Sequence, residues 1–207
     1  TGEDYASNTP GYALDPDDPA SFRPTALHML QDVEDGAWYR DTVDYAVSRG
    51  LMACDREGRF RPAASATRTE IVSALYRANG SPAPDLSPGE LPFTDTGDLP
   101  DCLDALCWAY GQGLSSGRSD GRFDGSAAVT RQELAVMLYR CVKASGGNGG
   151  SLTAFSDGNS VAGWAREAVS WAVGEGLLKG GADGRLDPDD GVTRAETAQI
   201  LMRFLEE

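Results

Sequence analysis

The sequence predicts an all-α fold built from three helix-loop-helix repeats, and three observations carry that expectation. The tetrapeptides Thr67-Arg68-Thr69-Glu70, Thr130-Arg131-Gln132-Glu133 and Thr193-Arg194-Ala195-Glu196 open at a constant step of 63 residues. The pairs Gly50-Leu51, Gly113-Leu114 and Gly176-Leu177 keep the same step. So do the turns Glu57-Gly58-Arg59-Phe60, Asp120-Gly121-Arg122-Phe123 and Asp183-Gly184-Arg185-Leu186. Self-similarity at a fixed period is the mark of a repeat architecture.

In chain order, residues 1–23 read as a tail or linker rich in Asp, Pro, Gly and small polar residues. No start Met or signal peptide is present, so Thr1 reads as a processed terminus or the edge of an excised piece. The first repeat occupies 24–80 and opens with a capping helix from Pro24 through Ala26, Leu27, Met29 and Leu30. His28, the only histidine, is a structural residue on that helix. Repeats two and three occupy 91–145 and 152–207, behind Pro- or Gly-rich links.

Each repeat begins with a lead-in Asp: Asp32, Asp95 and Asp157. A first helix follows, from Trp38 to Gly50 in repeat one, with Val43, Ala46 and Val47 as its apolar stripe and Gly50 as its stop. After a Gly/Asp-rich loop comes the second helix, opened by a Thr-x-x-Glu capping box. Its apolar positions are Ile71, Val72 and Leu75, then Leu134, Met137 and Leu138, then Ala198, Ile200 and Leu201. Helix pairs this short cannot bury their apolar faces alone. The three repeats therefore share a core, and a closed pseudo-threefold cluster hides more surface than an open row of three.

The chain carries 18 basic against 32 acidic residues, a net charge of −14, which excludes nucleic acid or an anionic membrane held by bulk attraction. No apolar run approaches the ~18–20 residues of a membrane span, so no membrane insertion is expected. The loop before each second helix fails as a calcium site: with Gly184 at the sixth position, Lys179 and Gly181 fall where carboxylates are needed. No metal, cofactor or catalytic residue is expected. The carboxylate pair Asp32 and Glu70, with its equivalents in the other repeats, is the enzymatic candidate, and the Glu residues are already explained by their caps. Cys54, Cys102, Cys107 and Cys141 read as small buried hydrophobes, with a disulfide from Cys141 left open.

Two features point to a ligand. A cation is disfavoured in a helix's first turn, yet Arg68, Arg131 and Arg194 all stand there. With free first-turn N–H groups, each would form an anion site. Trp108 and Trp171 align with Tyr45 and read as inter-helix packing. Trp38 and Trp164 align with each other beside the lead-in Asp, where an indole gives a sugar ring a flat face. Repeat two has Asp101 there instead.

These motifs resemble the S-layer homology domain in its usual triplet: Phe155 to Asp157, Trp164 to Leu177, the loop Gly180 to Pro188, and Thr193 to Glu196. The resemblance implies a three-pronged pseudotrimer around a central three-helix bundle, monomeric, at the bacterial cell surface. It implies grooves for secondary cell-wall polysaccharide with pyruvate ketals on N-acetylmannosamine. The residues it carries over are Arg68, Arg131, Arg194, Asp32, Asp95, Asp157, Trp38, Trp164, Gly117 and Gly180. Repeat one departs with Ala53-Cys54 in place of Ser116-Gly117 and Lys179-Gly180, and repeat two with Gly125 in place of Pro62 and Pro188. A protein–protein or self-association module is the alternative. On the ligand reading, Arg194→Lys weakens binding and leaves the melting temperature nearly unchanged.

Overall fold

The structure is a computed structural model that describes residues 12–14, 22–24, 30–143 and 149–206. Six α-helices lie among the described residues: α1 Arg40–Ser48, α2 Arg68–Ala78, α3 Leu103–Gly111, α4 Arg131–Cys141, α5 Arg166–Gly174 and α6 Arg194–Glu206. The all-α class holds for the repeats. Ahead of them two three-residue strands, β1 Tyr12–Leu14 and β2 Phe22–Pro24, pair antiparallel. The sequence reads there as a loose tail because strands this short show no usable alternation. Pro24 ends β2. The remaining expected capping-helix residues, Ala26 to Met29 with His28, lie outside the described residues, as does most of the second link.

The chain divides into two compact units, Thr1–Ala64 with Thr193–Met202, and Ser65–Val192 with Arg203–Glu207. The first unit holds β1, β2, α1 and most of α6. Val43 and Ala46 of α1, Phe60 of the following loop, and Ala198 and Leu201 of α6 are fully buried. α1 begins two residues after Trp38, so this indole precedes the helix instead of standing in its first turn; Gly50, at φ +66°, ends the element.

In the second unit the packing pairs are not the sequence repeats. The second helix of one repeat packs on the first helix of the next: α2 on α3 and α4 on α5. The aligned tryptophans join these pairs, Trp108 on Tyr76 with ring centroids 5.6 Å apart and Trp171 on Tyr139 at 5.5 Å. Both capping boxes of this unit form, Thr67 N–H donating to Glu70 Oε2 at 2.8 Å and Thr130 N–H to Glu133 Oε2 at 2.9 Å. In the first unit Thr193 N–H does the same to Glu196 at 2.8 Å.

The residues before the three caps meet at the centre of the second unit. Ala66 N–H donates to Val192 O, Val192 N–H to Val129 O, and Val129 N–H to Ala66 O, at 2.9–3.0 Å. The result is a closed triangle of backbone hydrogen bonds among three fully buried residues. One such residue comes from each repeat, so the constant step in the sequence becomes a cyclic contact in space.

Candidate functional site

Each second helix starts against a loop, and that docking decides what its first turn can do. In α2 the Arg68 N–H donates to Ala127 O and the Thr69 N–H to Gly125 O, both at 3.0 Å. The Glu70 N–H is taken by Thr67 Oγ1. In α4 the partners are Asp190 O and Pro188 O, and in α6 Ala64 O and Pro62 O. The first-turn amides are therefore engaged by carbonyls, and the expected free N–H groups are absent. This corrects the expected anion site at the helix ends.

The three arginines reach the same loops. Arg68 Nε donates to Phe123 O at 2.9 Å and its Nη2 to Ser115 Oγ at 3.0 Å. Arg131 donates to Leu186 O and Lys179 O, both at 2.8 Å. Arg194 donates to Phe60 O at 2.7 Å and Ala53 O at 2.6 Å. Arg68 and Arg194 are only 7% exposed and lie over the rings of Phe123 and Phe60. Burial lowers the pKa of both guanidiniums, and for Arg68 the neighbouring Arg118 adds to the effect. The first-turn cation is thus explained: its side chain binds carbonyls of the loop that docks on the helix. The expectation for Arg194→Lys is reversed, because a single ammonium cannot span both acceptors and stability must fall.

The lead-in aspartates also work on the loops. Asp32 accepts from Phe60 N–H and Arg61 N–H at 2.8 and 2.6 Å. Asp95 accepts from Phe123 and Asp124, and Asp157 from Leu186 and Asp187, all at 2.8 Å. The second residue of each pair sits at positive φ: Arg61 at 58°, Asp124 at 60°, Asp187 at 49°. A non-glycine residue resists that conformation, and the bidentate carboxylate holds it there. The three Asp are loop clamps.

For Asp95, burial works to raise the carboxyl pKa, but the Phe123 and Asp124 amides, its own amide and nearby Arg122 together hold it below its ordinary value. The Leu186 amide leads in lowering Asp157. The folded state therefore binds fewer protons, so this stabilisation is complete above about pH 4 and is lost as pH falls through the lowered folded values. Asp95→Asn turns an amide NH₂ toward a backbone donor, and is expected to lower the melting temperature at pH 7. The gap to the parent should narrow below about pH 4 in a thermal melt series. A gap that does not depend on pH would remove the clamp.

Gly117 and Gly180 stand where a Cβ would run into the rings of Phe93 and Phe155 and the carbonyls of Arg122 and Arg185. The glycine requirement is thus packing by the repeat's own lead-in aromatic. Repeat one tolerates Cys54 because Leu30 stands where the others have Phe. Gly125 is similarly compensated: Leu99 and Thr69 fill the space beside it. Its carbonyl accepts from Thr69 N–H at the start of α2, as those of Pro62 and Pro188 accept from the starts of α6 and α4.

One cleft in the second unit brings several expected residues together. It has a volume of about 210 Å³ and is lined by Arg68, Gly117, Glu133, Met137, Arg140 and Trp164 among others. Trp164 is 62% exposed, and Trp38, in the first unit, is 59% exposed. Tryptophan is highly buried on average, so indoles this open to water are uncommon in a folded protein. Arg140 anchors itself by Nη1 to Leu114 O at 3.3 Å, leaving its charge at the cleft. Sequence reasoning missed Arg140 and Arg118. Arg140 was visible as the Tyr139-Arg140 helix end, whereas Arg118 interrupts the repeat, with Asp55 and Gly181 one step away.

The S-layer homology domain matches this chain at residues 31–72, 92–135 and 154–198. The chain belongs to the S-layer homology domain family. The three matched segments each contain one lead-in Asp and one capping box, so these S-layer homology repeats carry the clamps and arginine anchors described above. Among similar proteins, the surface-layer 125 kDa protein of Lysinibacillus sphaericus is 28% identical over 81% of this chain. The cellulosome-anchoring protein of Acetivibrio thermocellus is 27% identical over 72% of the chain. An amylopullulanase of Thermoanaerobacterium thermosulfurigenes is 27% identical over 86%. This S-layer homology chain spans 14%, 34% and 9% of their respective lengths.

Proposed function

We propose that the chain is a non-catalytic module that anchors a protein to the cell wall by binding anionic secondary cell-wall polysaccharide, with the ketal carboxylate of a pyruvylated N-acetylmannosamine-type sugar at the Arg68 cleft. As a member of the S-layer homology family it is a cell-surface module. The observation that carries the ligand reading is electrostatic. In a chain of net charge −14, Arg68 and Arg140 line one cleft beside an exposed Trp164. An acid-bearing sugar meets both requirements, a cation for the carboxylate and an indole face for the ring. Arg131 and Arg194, held on equivalent loops, are proposed as further stations, with Trp38 as a second platform. Stations engaging one polymer gain by effective concentration, about 10²–10⁴-fold. No nucleic acid or membrane contact is part of this reading.

The test is a pull-down on purified wall polymer with and without its pyruvyl groups. Binding to the pyruvylated polymer alone is expected, and equal binding to both would exclude the carboxylate mechanism. Trp164→Ala should weaken retention about tenfold, the worth of one stacking face, with little change in melting temperature because the side chain is mostly in water. A large thermal shift would make that indole structural.

A further inference from the structure

We infer that Arg118, beside the Arg68 cleft, is a second anion-contacting residue for an acid group held there; this deepens, and rests on, the ligand reading above. Glu133 Oε1 stands between two cations, 4.0 Å from Arg68 Nη1 and 3.8 Å from Arg118 Nη1. Both separations are beyond hydrogen-bond length, so neither guanidinium closes on it. Glu133 cannot move toward either without giving up Thr130 N–H, which its Oε2 holds at 2.9 Å. Arg118 is tethered by Nε to Asp124 at 2.9 Å, with its Nη1 on the Glu133 side. Two guanidiniums thus turn their Nη1 groups toward one carboxylate oxygen at the cleft wall without closing on it, and an incoming acid group can accept from both while Arg118 Nε keeps Asp124.

Nothing in the repeat requires this cation. Gly181 stands at the corresponding place in repeat three. Asp55 stands there in repeat one, on the loop that binds Arg194, and it reverses the sign of the charge. Asp55 is itself engaged by Arg61 at 2.8 Å and by the amides of Glu57 and Arg59. The Arg194 station thus carries the Asp55–Arg61 pair where the Arg68 station carries Arg118–Asp124, the same ion pair with its ends exchanged. The exchange puts a guanidinium beside Glu133 at the Arg68 station and a carboxylate at the matching place near Arg194, and the order of charges along the wall, not their sum, sets what an acid group meets.

The experiment uses the full chain and, as probe, the methyl glycoside of N-acetylmannosamine carrying a 4,6-pyruvate ketal. Binding is followed by the indole N–H resonance of Trp164, assigned through its loss in Trp164→Phe. Arg118→Gln is expected to raise Kd about tenfold at low salt and to flatten the salt dependence. The melting temperature should change little, as exposed ion pairs hold little stability. Should Arg118→Gln prove unstable, Arg118→Lys decides: affinity near the parent's supports the charge role, and affinity still down about tenfold overturns it. Unchanged Kd in Arg118→Gln at both salt levels would also overturn the role of Arg118, while the ligand reading stands. Failure of the parent chain to shift the Trp164 resonance would overturn both.

Discussion

Arg68→Ala is expected to lower stability by roughly 2–4 kcal/mol, seen as a fall of about 5–15 °C in melting temperature. The change strips the Phe123 carbonyl and Ser115 hydroxyl of their donor in a buried place, and removes the guanidinium from the Phe123 ring. Relief of the cation's own desolvation offsets part of that loss, which is why the figure stays below the sum of two charged hydrogen bonds. Arg68→Lys should recover less than half, since an ammonium lacks the fork that reaches both acceptors. Arg131→Ala is expected to cost less, because that side chain is more exposed and Leu186 offers no aromatic face. Equal losses at all three positions would contradict the burial argument.

Gly117→Ala carries the second large effect, about 3 kcal/mol, and its cause can be separated experimentally. Gly117 and Gly121 both sit at positive φ, 75° and 80°. A Cβ at Gly121 meets nothing within 4 Å, whereas at Gly117 it overlaps the Phe93 ring and the Arg122 carbonyl. Gly121→Ala should therefore show only the backbone cost, ~1–2 kcal/mol, and the excess at Gly117 measures the overlap. Adding Phe93→Leu to Gly117→Ala should recover part of the loss, because repeat one carries the smaller Leu30 at the Phe93 position together with Cys54 at the Gly117 position. No coupling in that double-mutant cycle would remove the packing explanation.

What the sequence made legible was local. Each capping box closes within four residues, so the starts of α2, α4 and α6 could be read directly. The step of the repeat also marked Trp108 and Trp171 as packing residues before any contact was known. The roles of the arginines and aspartates were not legible, because their partners lie far along the chain. Arg68 meets Phe123, 55 residues away, and Asp95 meets Phe123, 28 away. A first-turn Arg looks like a broken stability rule until the docked loop supplies its carbonyls. Arg118 was hidden for the opposite reason: a repeat-based reading looks for what recurs, and this residue does not.

The account makes Arg68 both a structural tie and the positive floor of a cleft, and a crystal soaked with a pyruvylated wall-polymer fragment tests that most directly. The predicted result places the ketal carboxylate within hydrogen-bond distance of Arg68 or Arg118, with a sugar face on Trp164. A fragment lying outside this cleft, or one whose carboxylate faces solvent, would contradict it.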